Sequence, residues 1–340
     1  MTTAIAPPPT RVIGWAQTDT QWLNARRKGI SASDIAAILG YSQYATPWEV
    51  WADKTGLRPR EVDADKEAIR LGVALEPWLL RQAAHHLGTV VERTTARLYA
   101  HGWPESHWRL ASPDGCVAGN IEELVEAKTC GLASGFGIPD GWSHARAPLG
   151  YEFQCRWQMH VLGARRVHLT ALVANVGLIH HTYERDLSIE ADMVAQVDEW
   201  YQQHLVRRIE PPMTARDNQL MDALYPTPTA GSIALDNDPT VIEALYAYRD
   251  GLEEEKRGKA TKEAATALLK RKVGEHELAT LDDRPAITWK SRLGEPRWRD
   301  LVEDLTTICG WAGEDLDVDD LIAKYRNPDT RVINVKEVLG

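Results

Sequence analysis

Cysteine is scarce in this 340-residue chain. Cys116, Cys130, Cys155 and Cys309 are scattered, with no CxxC pair and no histidine at ligand spacing. Neither a zinc site nor an iron–sulfur cluster is therefore indicated, and the four are expected to be reduced and structural. No apolar run reaches bilayer length, which excludes a membrane helix. The N-terminus lacks the basic start, apolar core and small-residue cleavage site of a secretory signal, so a cytoplasmic location is expected. A basic excess is missing too: the formal charge is -10. This excludes a protein that coats nucleic acid by charge alone. It does not exclude an enzyme that cuts nucleic acid, because holding a divalent metal requires clustered carboxylates and the DNA-facing charge can be local. There is no internal repeat.

The hydrophobic fraction of 44% and the charged fraction of 26% are those of a globular protein. The length suffices for one substantial core and a second, smaller unit. Residues 1–60 carry seven Lys or Arg against four Asp or Glu, whereas residues 232–340 carry seventeen against twenty-three, so positive charge is concentrated at the front. Four segments are expected: a flexible lead over residues 1–20 containing Pro7-Pro8-Pro9, a main domain over 21–212, a linker over 213–233, and a helical extension with a small hairpin over 234–340.

Within the main domain, Ser33 is the expected N-cap of a short helix that stops at Gly40, and a second helix starts at Pro47. A longer helix is expected from Ala64 to Leu87, with Ile69, Val73, Trp78, Leu79 and Ala83 at helical spacing, Gly88 at its end and a kink at Pro77. Trp108 to Val117 and Glu123 to Thr129 read as paired antiparallel strands around a Gly119-Asn120 turn. Leu149 to Leu162 reads as a helix, Val167 to Val173 with Gly177 to Tyr183 as a hairpin, and Ile189 to Ile209 as a helix. Beyond the linker, Pro239 to Val273 is helical, either as a helical hairpin or as one long arm, and a hairpin turns at Asp282-Asp283. Most of the thirteen tryptophans, Trp51, Trp78 and Trp157 among them, fall at apolar positions and are read as packing. His85-His86 and His180-His181 have no carboxylate partner at fixed spacing and are read as surface or core residues.

The chemistry concentrates in Ser112-Pro113-Asp114-Gly115 followed by Glu126-Ala127-Lys128. Cleaving a phosphodiester requires an activated water, neutralisation of charge on the phosphoryl group and a stabilised leaving oxygen, all of which magnesium can supply. Magnesium asks for a few hard oxygen ligands on a rigid frame. An Asp on one strand facing a Glu on its hairpin neighbour meets that demand. Because strand side chains alternate, Glu126 and Lys128 share one face and Ala127 takes the other, so Lys128 stands beside the carboxylate, where it can serve the attacking water. Glu123 lies three residues before Glu126 and is expected to point away from it.

Four blocks in fixed order surround this pair. They are Trp22 to Arg26 leading into Gly29-Ile-Ser-Ala-Ser33-Asp34; Gly72 to Glu76-Pro77; Ser112 to Gly115 with Glu126 to Lys128; and Tyr151-Glu-Phe-Gln154 running into Trp157-Gln158-Met159. In these the chain, over roughly residues 20 to 185, resembles the YqaJ-type viral recombinase family. That group includes phage lambda exonuclease and lies within the PD-(D/E)XK nuclease superfamily. The resemblance implies an α/β fold for residues 21–212, with a central, mostly antiparallel mixed sheet flanked by helices. It implies that Asp114 and Glu126 hold Mg2+, for which Mn2+ substitutes, that the Ala127 carbonyl is an extra ligand, and that Lys128 serves the nucleophile. Glu76 would reach in from its helix, directly or through a metal-bound water. Arg26, Ser33, Ser112 and Gln154 match positions that form a pocket for a terminal 5′ phosphate. The implied activity is 5′ to 3′ exonuclease action on linear double-stranded DNA in phage-type recombination. The implied partners are DNA, further copies of the chain in a ring-like trimer, and a single-strand annealing protein. The alternatives are an endonuclease with the same core and a non-catalytic DNA-binding scaffold.

Overall fold

A computed structural model describes residues 11–15, 19–59, 66–94, 97–131, 141–143, 146–236 and 238–289, together with 305 and 307. The proline-rich lead through Pro9, the expected helix start at Ala64, Cys309 and the rest of the C-terminal tail lie outside the described residues. The chain divides into two compact units, Met1–Met221 and Asp222–Gly340.

The first unit runs β1 (Arg11–Trp15), α1 (Asp19–Arg27), β2 (Ile30–Ser31), α2 (Ala32–Ile38), α3 (Pro47–Thr55), α4 (Glu67–Leu87), β3 (Val91–Arg93), β4 (Arg97–Ala100), β5 (Arg109–Ala111), β6 (Gly115–Val117), β7 (Asn120–Cys130), α5 (Leu149–Leu162), β8 (Arg166–Val173), β9 (Gly177–Glu184) and α6 (Leu187–Trp200). A π-helical turn over Tyr201–Val206 extends α6. The central sheet has the order β3-β6-β7-β8-β9, and a smaller one the order β1-β4-β5-β2. In the central sheet only the β7–β8 pair is parallel, with Glu126 opposite Leu169. That one junction needs a crossover, and α5 lies in it. The expected mixed, mostly antiparallel sheet is thus present.

Alternation along β7 sets the layers. Leu124 and Cys130 join the main core with Cys155, Trp157 and Met159 of α5. Val125 and Ala127 pack with Leu80 and Ala83 of α4. Helices therefore cover both faces, α5 on the face that also carries Glu126 and α4 on the other. Trp157 is fully buried and donates its indole N–H to the Leu110 carbonyl at 3.0 Å, a packing role.

Several expected boundaries shift for identifiable reasons. The segment 108–117 is not one strand: it breaks at Ser112-Pro113-Asp114, and the chain passes from the small sheet in β5 to the central sheet in β6. Pro113 cannot donate to a ladder, so a strand change there is inexpensive. The hairpin that follows turns one residue earlier than expected, with left-handed φ values of 48° at Ala118 and 74° at Gly119. The N-cap of α2 is Ser31, not Ser33. Ser31 has the extended backbone, and the Asp34 carboxylate accepts its N–H at 3.0 Å and its hydroxyl at 2.7 Å. The apolar stripe foreseen on α4 is buried only in its second half. Leu79, Leu80 and Ala83 are in the core, whereas Ile69 and Val73 are exposed.

In the second unit, α8 (Pro239–Val273) is one continuous helix rather than a helical hairpin, and nearly all its side chains are exposed. α7 (Asn218–Leu224) begins in the first unit and ends in the second, and β10 (Leu278–Leu281) pairs with β11 (Arg284–Thr288) around a turn with left-handed Asp282 and Asp283. Among the described residues no helix is long and apolar enough to cross a membrane.

Candidate active site

Asp114 leaves β5 just before β6, where its neighbour Gly115 registers with Val125 of β7. Its backbone carbonyl accepts the Thr94 N–H at 2.9 Å, and the buried Thr94 hydroxyl donates to the Pro113 carbonyl at 2.6 Å, fixing the turn. One Asp114 oxygen accepts the Ala127 N–H at 2.8 Å. The N–H and C=O of a strand residue leave the strand on the same side, so the Ala127 carbonyl faces the gap where Asp114 stands.

Glu126 is 2% exposed, a burial that a carboxylate tolerates only when it is well supplied with donors. One of its oxygens accepts from the Lys128 ammonium and the Gln154 amide, and the other accepts from the Gln158 amide at 2.7 Å. Lys128 also lies 5.9 Å from the centre of the Tyr151 ring. Burial disfavours the ammonium, but the charges of Glu126 and Asp114 outweigh it, and Lys128 is held above its ordinary value. It is an ammonium at neutral pH and a donor, not a general base. Asp114 moves the other way from most paired carboxyls. Burial, then the adjacent Glu126 charge, push it well above the carboxylate range, with Glu76 adding to the effect and Lys128 opposing it.

Glu76 comes from α4, on the opposite face of the sheet from Glu126, and accepts from Arg93 Nε at 3.0 Å. The structure thus brings Asp114, Glu126 and Lys128 together around the start of β6, with Glu76 close enough to act on Asp114. Two adjoining carboxylates, of which Asp114 is pushed up by burial and by the charge of Glu126, with the Ala127 carbonyl directed toward the same gap, form a hard-oxygen donor set of the kind that suits Mg2+ or Mn2+. Among the described residues no group of three or more His, Cys, Asp or Glu side chains is placed to hold a metal ion, so Glu76 does not complete a three-carboxylate set with Asp114 and Glu126. Magnesium retains water and does not require one.

The four residues expected to grip a phosphate are distributed differently. Arg26 donates to Ser31 Oγ at 2.7 Å and to Ser33 Oγ, and lies 5.9 Å from the Trp22 ring centre. Gln154 is bonded to Glu126, and the Ser112 hydroxyl donates to the Arg97 carbonyl at 2.7 Å. Arg26 and Ser33 therefore meet directly, while the bonds of Ser112 and Gln154 go elsewhere.

Some contributors were not singled out from the sequence. Gln158 stood in the fourth block without an assigned role, and the structure buries it fully. Its four-residue spacing from Gln154 on one helix was a usable signal. The Ser31–Asp34 spacing was likewise a visible capping pattern. Lys54, buried against Asp34 at 2.8 Å, and Thr94 had no sequence signal, since their neighbours are remote in the chain.

Residues 21–165 match the YqaJ-like viral recombinase domain. The chain is 32% identical over 184 residues to an uncharacterized protein YqaJ of Bacillus subtilis (strain 168), covering 53% of this chain and 54% of that protein. It thus spans about half the length of that curated relative. Among solved structures, the alkaline exonuclease LHK-Exo from Laribacter hongkongensis is similar at 19% identity with a TM-score of 0.42, over 55% of this chain and 93% of that one. A phage-related exonuclease from Haemophilus somnus 129PT is similar at 12% identity with a TM-score of 0.38, over 55% of this chain and all of that one.

Proposed function

We propose that the protein, whose residues 21–165 match the YqaJ-like viral recombinase domain, is a metal-dependent deoxyribonuclease that degrades linear double-stranded DNA from a 5′ end. The observation that carries the reading is the cluster of Asp114, the buried Glu126 and the Lys128 ammonium at one strand junction. Asp114, Glu126 and the Ala127 carbonyl would hold Mg2+, with Mn2+ substituting, and Glu76 would contribute through a water. When bound, the ion supplies the charge that activates water and offsets the charge gathering on the phosphoryl group.

The chain's own residues perform the remaining tasks. Gln154 and Gln158 hold the Glu126 carboxylate in one orientation, and the Ala127 N–H does the same for Asp114, so the donor set is preorganised. Lys128, as a cation, donates to the attacking water or to a non-bridging phosphate oxygen and stabilises negative charge there. The guanidinium of Arg26, with Ser33 beside it, supplies donors suited to a terminal phosphate. This cradle favours end-directed action over internal cutting. The ring-like trimer, the annealing-protein partner and action on cytoplasmic DNA in recombination belong to the same proposal.

The test is incubation of a 5′-phosphorylated linear duplex and a covalently closed circle with magnesium. The linear DNA is expected to be degraded and the circle to persist, and Asp114→Ala or Lys128→Ala is expected to abolish cleavage with DNA binding retained. Rapid nicking of circles would instead support an endonuclease, and a wild type inert with every divalent metal would support a scaffold.

A further inference from the structure

Beneath Arg26 lies a buried ion pair that the proposed chemistry does not use. Lys54, near the end of α3, has a side chain only 3% exposed, and that of Asp34 is 1% exposed. The ammonium is 2.8 Å from Asp34 Oδ2 and donates to the Arg26 backbone carbonyl at 3.1 Å, with Asp53 at 3.8 Å. The same Oδ2 also accepts the Ser31 N–H and hydroxyl. Arg26, by contrast, stands 3.9 Å from Asp34 Oδ1, too far for a hydrogen bond. Its donors go to the neutral hydroxyls of Ser31 and Ser33. Arginine ordinarily seeks a carboxylate in a bidentate pair. Here Lys54 and Ser31 occupy one oxygen of the nearest carboxylate, and Arg26 faces the other at ion-pair distance without hydrogen-bonding it.

We propose that Lys54 is a positioning residue: by carrying the counter-charge of Asp34, it keeps Arg26 from collapsing onto that carboxylate and leaves the guanidinium presented, with Ser33, to a phosphate. Hydroxyl partners are readily exchanged for anion oxygens, whereas an arginine held by a buried carboxylate is not. Arg26, Arg27 and Lys54 set against Asp34 and Asp53 sum to one positive charge; without Lys54 the cluster sums to zero, and the attraction for an anion is weakened. The inference rests on the reading of Arg26 as a 5′-phosphate ligand.

The test is competition binding, measured by fluorescence anisotropy without metal, between one linear duplex carrying 5′-phosphate ends and the same duplex carrying 5′-hydroxyl ends. Wild type is expected to prefer the phosphate by about tenfold, the worth of one charge-assisted hydrogen-bonded contact, and Arg26→Ala to abolish the preference. Lys54→Met is expected to lose most of it, and the double variant Asp34→Asn/Lys54→Met to recover it, because the carboxylate that captures Arg26 is gone. The preference is compared only among variants that melt as folded proteins, so a loss of fold is not read as a loss of positioning. A folded Lys54→Met that keeps the wild-type preference, or a folded double variant that lacks it, overturns the role of Lys54 while leaving Arg26 as the phosphate ligand. Should Lys54→Met fail to fold on thermal melting, the double variant decides alone by the same criterion. A wild type without any preference overturns both the phosphate reading and this inference.

Discussion

At the scale of single residues, the site is defined by which charges are left uncompensated. Asp114 is pushed well above the usual carboxylate range by burial and by Glu126. The sign of the linkage follows: stability that Asp114 contributes by holding its proton is complete below the unfolded carboxyl value and is lost as pH rises through the raised folded value. The metal-free protein is therefore expected to lose stability over that range. Added Mg2+ should restore it, with the rise in melting temperature larger at pH 8 than at pH 6 and absent in Asp114→Asn. Lys128 is held up as a cation, so Lys128→Arg should retain part of the cleavage rate, whereas Lys128→Met should lose about 10²-fold or more in single-turnover assays, the magnitude of a lost transition-state donor. These residues were legible in the sequence, since strand alternation alone puts Glu126 and Lys128 on one face. Ser33 was legible as a polar residue near a helix start but not in its place, because the extended backbone of Ser31 takes the cap. Lys54 was not legible: nothing local distinguishes a lysine at a helix end that is solvated from one buried against Asp34.

At the scale of elements, two features hold the junctions that position the site. Gly29 passes so close to the next strand that an added Cβ would stand 2.1 Å from the Trp108 carbonyl oxygen, where Ile30 begins the parallel β2–β5 pair. Gly29→Ala should cost about 3 kcal/mol, as overpacking against a rigid backbone does, and this is readable by denaturant unfolding. A charged network then ties β5, α5 and α6: Arg109 contacts Asp198 at 2.6 Å and His160 at 3.0 Å, and His160 meets Glu190 at 2.8 Å, which Arg185 also grips at 2.7 Å. Burial would raise Glu190, but the hydrogen bonds from Arg185 and His160 prevail and hold it at about 2. Burial lowers the neighbouring His101 to about 4. Both folded values are depressed, so their contributions are present above the unfolded values and vanish as pH falls through the folded ones. Stability should decline from about pH 6.5 downward, with Glu190 accounting for roughly 3 kcal/mol between pH 4.5 and 2. Glu190→Gln should flatten that part of the profile. The α5 helix and the β8–β9 hairpin could be read from periodicity and from the turn at Asn175 and Gly177. The break between β5 and β6 could not, since passing from one sheet to another is a tertiary choice that a local apolar pattern does not encode. The exposure of Ile69 and Val73 had the same cause: their spacing fits a helix, but only the other elements decide how much of it is covered.

At the scale of the whole molecule, a net charge of -10 coexists with a local surplus of cations at the front of the chain, where Arg26 and Lys54 are found. Composition could exclude a charge-driven coating protein but could not locate the cradle. Every candidate site residue lies in the unit Met1–Met221. A chain ending at residue 233 should therefore keep metal-dependent cleavage of linear duplex DNA, checked on a gel against the full chain, and loss of cleavage with the fold intact would assign part of the site to the second unit. The length of α8 was evident from its composition, and its being one helix was not, because a helical hairpin and a single arm share the same periodicity.

The central claim, that Asp114 and Glu126 bind one divalent cation between them, is tested most directly by calorimetric titration of Mn2+ into wild type, Asp114→Asn and Glu126→Gln in the absence of DNA. Binding in the wild type, lost or weakened by at least about tenfold in each variant, is the predicted result. Wild-type affinity in either variant would contradict it.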